Sequence, residues 1–340
     1  MKNLINMVLF ALMAIFTKFA VASGGSYAIF PTTSSDNSVN FIECQFAQIT
    51  SIDYIPYYQN CFQEGINSVH SGPPVSGTVA AVTNKFDVYF VNYGTNNFSI
   101  CQLDAYGSVL NGYCRAITPS GAGAIQMPAD MQISGNYAYI IGKSPQLQMR
   151  AITQCRYNFL AGVEVSSCVT SSLKFAAEHI LVNNNVAYIY AGVTVNQCNV
   201  TSNGIDLSSC QQSTITSGSE NLTGADVYNG SIYFVASPSN IIICNLTASN
   251  NINTSSCHDY PQADEENNYL FYFSGAKIFQ ANGSIPNGAM LLTGNAGEHT
   301  FNLCFLTSIA VSNKACFSQD AMYDGSWLPY HGWGAAINSK

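Results

Sequence analysis

The stretch CNVTSNGIDLSSC, residues 198–210, decides the fold because its construction occurs six times along the chain. The twelve cysteines, paired in sequence order, have separations of 17, 13, 13, 12, 13 and 12 residues. The predicted pairs are Cys44–Cys61, Cys101–Cys114, Cys155–Cys168, Cys198–Cys210, Cys244–Cys257 and Cys304–Cys316. Such regular spacing predicts one local disulfide in each of six repeated units.

A turn residue lies near the middle of most units. Gly107, Gly204 and Asn250 follow the first cysteine by six residues, and Gly162 follows it by seven. Glycine and asparagine tolerate the positive φ that a tight hairpin turn needs. Each unit is therefore interpreted as a β-hairpin closed by a disulfide.

A second repeat precedes the hairpins and is visible without the cysteines. Four β-rich runs each contain a tyrosine, and these tyrosines are 50, 49 and 45 residues apart. The runs are residues 88–91, 138–141, 187–190 and 232–235. Shorter apolar segments precede three of the runs, at residues 79–82, 131–133 and 180–182. Two such strands plus the hairpin give four strands per unit, which predicts an all-β fold, a six-bladed β-propeller with four-stranded antiparallel blades and one disulfide within each blade.

The two ends of the chain predict how the ring of blades closes. Residues 27–30, YAIF, correspond to a second strand, so the first unit lacks its own first strand. Residues 319–325, QDAMYDG, resemble the first-strand segment at 224–230, GADVYNG. We therefore expect a C-terminal strand at 319–325 to complete the N-terminal blade. Closure would remove strand edges that otherwise promote aggregation.

Composition limits the classes of function. Only 9% of the residues are charged, whereas 47% are hydrophobic. Without Lys2 and Lys18 of the N-terminal segment, 9 basic and 19 acidic residues remain, a formal charge of −10. An acidic chain without a basic cluster is poorly suited to nucleic acid or to anionic lipid. We expect no nucleic-acid partner, no stable membrane insertion and a monomer.

Residues 1–22 have the features of a signal peptide. Lys2 precedes an apolar core at about residues 7–16, and Ala20-Val21-Ala22 provides a small-x-small cleavage pattern. We predict cleavage after Ala22 and export to the periplasm or the cell exterior, which leaves residues 23–340 as one propeller domain. Disulfides persist in such oxidising compartments, in agreement with the even cysteine count.

The repeat resembles a known family. Residues 88–92, VYFVN, are followed by FSICQL at 98–103, then by Gly107 and Cys114. This pattern resembles the YVTN-type β-propeller repeat of secreted bacterial surface proteins, in its variant with a cysteine pair in each blade. The resemblance covers essentially the whole mature chain. It implies a fold more than an activity, since many such proteins are described as surface antigens and some are similar to lactonases.

The candidate site is acidic. No Gly-x-Ser-x-Gly, His-Glu-x-x-His or Cys-x-x-Cys motif occurs. Asp130, Glu178, Asp226 and Asp320 are aligned just before the first strand of their blades, with His179 beside Glu178. Because that strand lines the channel of a propeller, we expect these five residues to form a binding site at its mouth.

Two interpretations of the acidic residues remain open. Asp130, Asp226 and Asp320 are candidate ligands of Ca²⁺, which prefers hard oxygen donors. The alternative is that these aspartates only accept hydrogen bonds from turn backbone groups. We expect no resident cofactor, with calcium as the alternative.

The expected function is recognition. We predict a secreted, non-enzymatic binding propeller that recognises protein or carbohydrate outside the cell, because a rigid scaffold with variable loops suits that role. The alternative is a secreted hydrolase or lactonase that uses the channel-mouth carboxylates, with or without a divalent cation. A lectin with one site per blade is less favoured, since the repeats share no set of pocket residues.

Overall fold

The structure is a computed structural model, and it describes most of the strand-forming sequence. The described residues are 27–33, 39–46, 58–65, 78–83, 86–92, 98–104, 107–118, 126–144, 149–215, 221–263, 273–280, 289–295, 300–310, 315–320, 322–323, 326–327 and 336–338. The predicted signal peptide, residues 1–22, lies outside them. Within these ranges no helix has the length and apolarity that a membrane crossing requires.

The described chain consists of antiparallel sheets, most of them four-stranded. The first sheet contains β1 (Tyr27–Thr33), β2 (Val39–Phe46) and β3 (Tyr58–Gly65), with β26 (Ala336–Asn338) beside β1. The second contains β4 (Thr78–Thr83), β5 (Asp87–Asn92), β6 (Phe98–Leu103) and β7 (Val109–Ile117). The third contains β8 (Gln126–Ser134), β9 (Tyr137–Ser144), β10 (Met149–Asn158) and β11 (Gly162–Ser172).

The remaining sheets continue the same order. The fourth contains β12 (His179–Asn183), β13 (Val186–Ala191), β14 (Thr194–Thr201) and β15 (Gly204–Thr214). The fifth contains β16 (Asn221–Tyr228), β17 (Ser231–Ser237), β18 (Asn240–Asn245) and β19 (His258–Pro261), with a 3₁₀ turn at Thr254–Ser256. The sixth contains β20 (Phe273–Gln280), β21 (Ala289–Asn295), β22 (Thr300–Phe305), the short helix α1 (Leu306–Ile309) and β23 (Cys316–Asp320). A separate pair joins β24 (Met322–Tyr323) to β25 (Ser326–Trp327).

This order is that of a β-propeller with four-stranded antiparallel blades. Five blades are each built from four consecutive strands, where the sequence predicted six blades, the first of them completed by a C-terminal strand. The predicted closing strand at 319–325 is wrong. Residues Cys316–Asp320 pair with β22 as the outer strand of the sixth sheet, because Cys316 lies opposite Cys304 there. The strand beside β1 is β26 instead, with Ala28 opposite Ile337.

Apolar side chains fill the spaces between successive sheets. All six residues of β13 are buried, so this strand packs on both faces. Tyr89, Tyr139 and Tyr188, three of the four repeated tyrosines of the second strands, are also buried. Burying one large apolar side chain stabilises a fold by about 1.5–3 kcal/mol. The nearly continuous apolar sequence of the second strands is therefore explained by contacts with two neighbouring sheets.

The hairpins form as the sequence predicts. Disulfides join the third and fourth strand segments at Cys101–Cys114, Cys155–Cys168, Cys198–Cys210, Cys244–Cys257 and Cys304–Cys316. Cys44 lies opposite Cys61 in the backbone register, but their side chains lie outside the described residues. The predicted turn residues have positive φ, 96° at Gly107, 78° at Gly162, 94° at Gly204 and 61° at Asn250.

Glutamine side chains connect neighbouring sheets. The Gln154 Oε1 atom accepts a hydrogen bond from the Ile205 backbone N–H at 2.7 Å, between the third and fourth sheets. The Gln197 Oε1 atom accepts one from Ile252 at 2.6 Å, between the fourth and fifth. Local disulfides cannot supply such connections, so side-chain hydrogen bonds hold the orientation of one blade relative to the next.

Candidate functional site

The first cysteine of each sheet gives a common frame for comparing the innermost strands. On the second strands, the residues opposite these cysteines are Ala138, Ala187, Ile232 and Leu291. On the innermost strands, the residues opposite those four are Ile133, Val182, Val227 and Ile278. In this frame, the innermost strands of the third to sixth sheets can be compared position by position.

Four charged or titratable residues occupy two levels of this frame. Asp130 and His179 each lie three residues before the reference position of their strand. Asp226 and Lys277 each lie one residue before it. Positions two residues apart in a strand point to the same face and are separated by about 7 Å. The four side chains therefore belong to one face that extends over four consecutive innermost strands.

Asp130 is held by backbone groups of two sheets. Its Oδ1 atom accepts the Met131 N–H at 2.7 Å, and its Oδ2 atom accepts the Ile180 N–H at 3.0 Å. The His179 Nδ1 atom lies 3.6 Å from the same Oδ2. The imidazole is 20% exposed, so one side of the ring is accessible to water. The carboxylate orientation is thus fixed before any ligand arrives.

Asp226 repeats this arrangement one level further along the innermost strands. Its Oδ1 atom accepts the Val227 N–H at 2.9 Å, and its Oδ2 atom accepts the Ile278 N–H of the next sheet at 2.8 Å. The Lys277 Nζ atom lies 3.3 Å from Oδ2. Lys277 is 39% exposed, whereas Asp226 is only 13% exposed. A cation is therefore held beside a nearly buried carboxylate.

Tyr190 lies behind the two pairs. It is opposite His179 in the strand register, and the two rings stack with centroids 5.2 Å apart. The edge of Phe234 closes the other side at 5.7 Å. Burial raises the pKa of Tyr190 well above its usual value, and the negative charges of Asp130 and Asp226 raise it further. The hydroxyl group therefore stays neutral at physiological pH.

The predicted acidic ring is only partly assembled. Glu178 lies directly before β12, is exposed, and forms an ion pair of 2.8 Å with Arg150. Asp320 ends β23, the outermost strand of its sheet, so its predicted place before an innermost strand is wrong. The predicted equivalence of Asp130 and Asp226 is also wrong by two positions, because Asp130 lies three residues before Ile133 whereas Asp226 lies one residue before Val227.

The calcium hypothesis gains no support from the described residues. Within those ranges, no group of three or more His, Cys, Asp or Glu residues is arranged to hold a metal ion. Asp130 and Asp226 each already accept two backbone N–H groups. Asp320 is the third predicted ligand, and its side chain lies outside the described residues. The alternative interpretation applies in a modified form, since each aspartate accepts one N–H from its own strand and one from the next sheet rather than N–H groups of turns.

Three residues of the site were not identified from the sequence. Lys277 belongs to the sixth unit, whose irregular spacing hid its position. The strand register locates it, because Cys304 lies opposite Leu291, Leu291 lies opposite Ile278, and Lys277 directly precedes Ile278. Tyr190 appeared only as a strand residue. Arg150 is far from Glu178 in sequence, and no local signal connects them.

The Asp130–His179 pair can perform proton transfer. A neutral imidazole carries a proton on one nitrogen and a lone pair on the other. With a carboxylate facing Nδ1, the proton is favoured there and Nε2 is left as the acceptor. The arrangement can therefore deprotonate a water molecule held at the ring.

Two solved structures are similar to this chain over nearly its whole length. A Bacteroides uniformis protein, provisionally named a 6-phosphogluconolactonase, is 10% identical, with a TM-score of 0.52 over 93% of this chain and 100% of that one. The Pseudomonas aeruginosa periplasmic gluconolactonase is 8% identical, with a TM-score of 0.54 over 94% and 86%. The fold is a β-propeller.

At these identities the likeness establishes the propeller fold alone. No protein-family model and no curated protein matches the chain. The resemblance to the YVTN-type repeat family therefore stays a prediction. The disulfides agree with an extracellular or periplasmic propeller, and the similar Pseudomonas structure is itself named as periplasmic.

Proposed function

We propose that the chain is a lactonase-like propeller hydrolase that opens cyclic esters of sugar acids. The observation that carries this proposal is the Asp130–His179 pair, with Nδ1 3.6 Å from Oδ2 and the imidazole open to water. The function expected first from the sequence, a non-enzymatic binding module, is corrected. Two propellers similar over nearly the whole chain bear lactonase names, which favours the enzymatic alternative.

The reaction consumes one water molecule. The His179 Nε2 atom would take a proton from water while the water oxygen attacks the lactone carbonyl carbon. The ring C–O bond then breaks, and the imidazolium returns its proton to the departing alkoxide, which gives a hydroxy acid. Asp130 would keep the ring oriented and stabilise the imidazolium. General-base assistance of this kind contributes about 10²–10⁴-fold to rate.

Lys277 would supply positive charge to the same face. Negative charge develops on the carbonyl oxygen during attack, and a fixed cation in a partly dry site stabilises it. Asp226 holds the ammonium group at 3.3 Å and is itself fixed by the Ile278 amide. The pair would therefore select substrates whose carbonyl oxygen reaches the level of Lys277, two residues further along the innermost strands than His179.

Hydrolysis of a small lactone panel tests this function. Glucono-δ-lactone, 6-phosphoglucono-δ-lactone and a simple aliphatic δ-lactone are compared by acid release, at a mildly acidic pH that slows spontaneous opening. We expect the wild-type chain to accelerate at least one sugar lactone, and His179→Ala to lose about 10²–10⁴-fold in kcat. His258→Ala is the matched control, since His258 is exposed on the outer strand β19. Failure of all three lactones to react faster than in buffer would refute the proposal.

We infer in addition that the sheets close into a six-bladed ring with the composite first sheet as a blade. The inference is supported by contacts of β26 with both β4 and β20. The remaining neighbours also contact each other, namely β4 with β8, β8 with β12, β12 with β16 and β16 with β20. Ile337→Pro should speed amide hydrogen exchange in β1, which pairs with β26, and leave β13 unchanged. Unchanged protection of β1 would contradict closure.

The same proposal includes the place of action. We infer export with removal of residues 1–22 and activity in the periplasm or outside the cell, as one monomeric domain. The five described disulfides support an oxidising compartment. The intact mass of the exported protein tests the cleavage after Ala22.

A further inference from the structure

A cavity lies at the end of the innermost strands opposite to the His179 end. It has a volume of about 630 Å³ and lies between the third and fourth sheets. Its walls come from the turn after β8, the β10–β11 hairpin and the turn between β14 and β15. His179 begins β12, whereas the corresponding turn follows Asn183 at the end of that strand. Four residue steps separate the two levels by about 13 Å.

Hydrogen bonds hold the walls of this cavity in place. The Tyr137 hydroxyl donates to the Ser202 carbonyl at 3.3 Å, which joins the two sheets. The Tyr157 backbone N–H donates to the Asn136 carbonyl at 2.8 Å. The Asn158 Oδ1 atom accepts the Leu160 N–H at 2.8 Å, so its amide NH₂ remains available to a ligand. The cavity is therefore formed in advance rather than on binding.

One cation and one anion lie side by side on paired strands in the cavity wall. Arg156 and Glu164 lie opposite in the β10–β11 register, and both are exposed. Neither forms an ion pair with another described residue. The Glu164 Oε1 atom accepts a long hydrogen bond from the Ser166 hydroxyl at 3.5 Å. The other carboxylate oxygen and the guanidinium group can hydrogen-bond a ligand, and their charges cancel. A neutral ligand with adjacent hydroxyl groups fits this pair better than a phosphate or a carboxylate does.

Aromatic rings flank the polar wall. Tyr137 and Tyr157 line the cavity itself. The hairpin tip between Asn158 and Ala161 carries Phe159, which is 47% exposed and lies 5.1 Å from Phe86 between ring centroids. Because Phe86 precedes β5 of the second sheet, Phe159 packs on the side of the third sheet that is remote from the fourth. Tyr157 is buried against Tyr89, so Tyr137 is the partly exposed ring beside the hydrogen-bonding groups of the cavity.

We propose that this cavity binds a neutral sugar unit of a glycan. The Tyr137 ring would pack against the C–H groups of a pyranose, while Arg156, Glu164 and Asn158 bind its hydroxyl groups. Small-ligand sites usually occupy about 300–1,000 Å³, so this cavity has room for one or two hexose rings. The site is separate from His179 and does not depend on the lactonase proposal.

Saturation-transfer NMR with cellobiose, maltose, lactose and chitobiose tests the site on the wild-type chain. We expect at least one disaccharide to bind with a Kd near 1 mM. Arg156→Ala should weaken binding at least about tenfold, as expected for loss of a hydrogen bond to a charged group. Arg115→Ala is the matched control, because Arg115 is an exposed strand arginine that does not line the cavity.

The outcomes separate this proposal from its alternatives. No disaccharide bound at about 10 mM, or equal binding by wild type and Arg156→Ala, would overturn it. Binding of an unglycosylated peptide that Arg156→Ala abolishes, without any sugar binding, would assign the cavity to protein instead and also overturn it. Arg156→Ala should hydrolyse lactones at the wild-type rate, so failure of one proposal is distinguishable from failure of the other.

Discussion

Replacing Asp226 with alanine should loosen the fifth sheet from the sixth. The substitution removes the acceptors of the Val227 and Ile278 backbone N–H groups, now bonded at 2.9 and 2.8 Å. Each hydrogen bond to a charged group is worth about 1.5–3 kcal/mol, although the freed amides regain part of that from water. The exposed Lys277 contact adds less than about 1 kcal/mol. We expect the free energy of unfolding to fall by about 2–4 kcal/mol.

Urea unfolding and amide hydrogen exchange measure this effect together. Exchange should accelerate most in β20, which contains Ile278, and Asp226→Asn should lie between wild type and alanine because it keeps one carbonyl oxygen. Asp206→Ala is the control, since Asp206 is exposed and accepts hydrogen bonds only within its own hairpin, from Ser208. If Asp226→Ala and Asp206→Ala have the same stability and the same β20 protection, the carboxylate is not a connection between sheets.

Further outcomes follow from the same contacts. Cys198→Ser with Cys210→Ser should cost at most about 3 kcal/mol and increase exchange only within β14 and β15, and equal loosening of every sheet would contradict a local role. Gly204→Ala should cost about 1–3 kcal/mol by thermal unfolding, because φ is 94° and the new Cβ would clash with the Gln154 Oε1 atom. Burial, followed by the neighbouring Tyr137, raises the pKa of Tyr139 from 10.0 to about 12, so the contribution of Tyr139 to stability should be constant below pH 10 and fall as pH rises toward 12. Phenolate absorbance near pH 10 that appears without unfolding in the wild type and is missing from Tyr139→Phe would argue against that burial.

The strands and hairpins were predictable because their signals are local. Residues 88–91 and 187–190 are strands, and Gly107 and Gly204 have the positive φ that their spacing indicates. A further local signal was present but unused. The sequence Ser-Ser-Cys occurs at 166–168, 208–210 and 255–257.

The serine before the second cysteine closes a bulge in each of these hairpins. The Ser209 Oγ atom accepts the Asn199 N–H at 2.8 Å and donates to the Asp206 carbonyl at 2.7 Å. Equivalent bonds occur at Ser167 and Ser256. A hydroxyl group at this position satisfies backbone groups that the irregular register leaves unpaired, which is why the motif repeats.

The site was predictable only in part because it depends on register between distant segments. Asp130 and His179 could be chosen from the sequence, yet their contact depends on the pairing of β8 and β12 with their own second strands. Lys277 and Asp226 share a level only when each is counted from the residue that pairs with the second strand of its own sheet. The strand beside β1 was misplaced for the same reason, since composition does not determine which C-terminal segment pairs with it.

The most direct test is the kcat/KM of His179→Ala relative to His258→Ala for opening of glucono-δ-lactone, or of whichever panel lactone the wild type hydrolyses fastest. If His179 is a general base oriented by Asp130, the kcat/KM of His179→Ala should be about 10⁻² of that of His258→Ala or lower. The kcat/KM of His258→Ala should equal that of the wild type. Equal values for the two variants, or no enzymatic hydrolysis of any lactone by the wild type, would contradict a catalytic role for this pair.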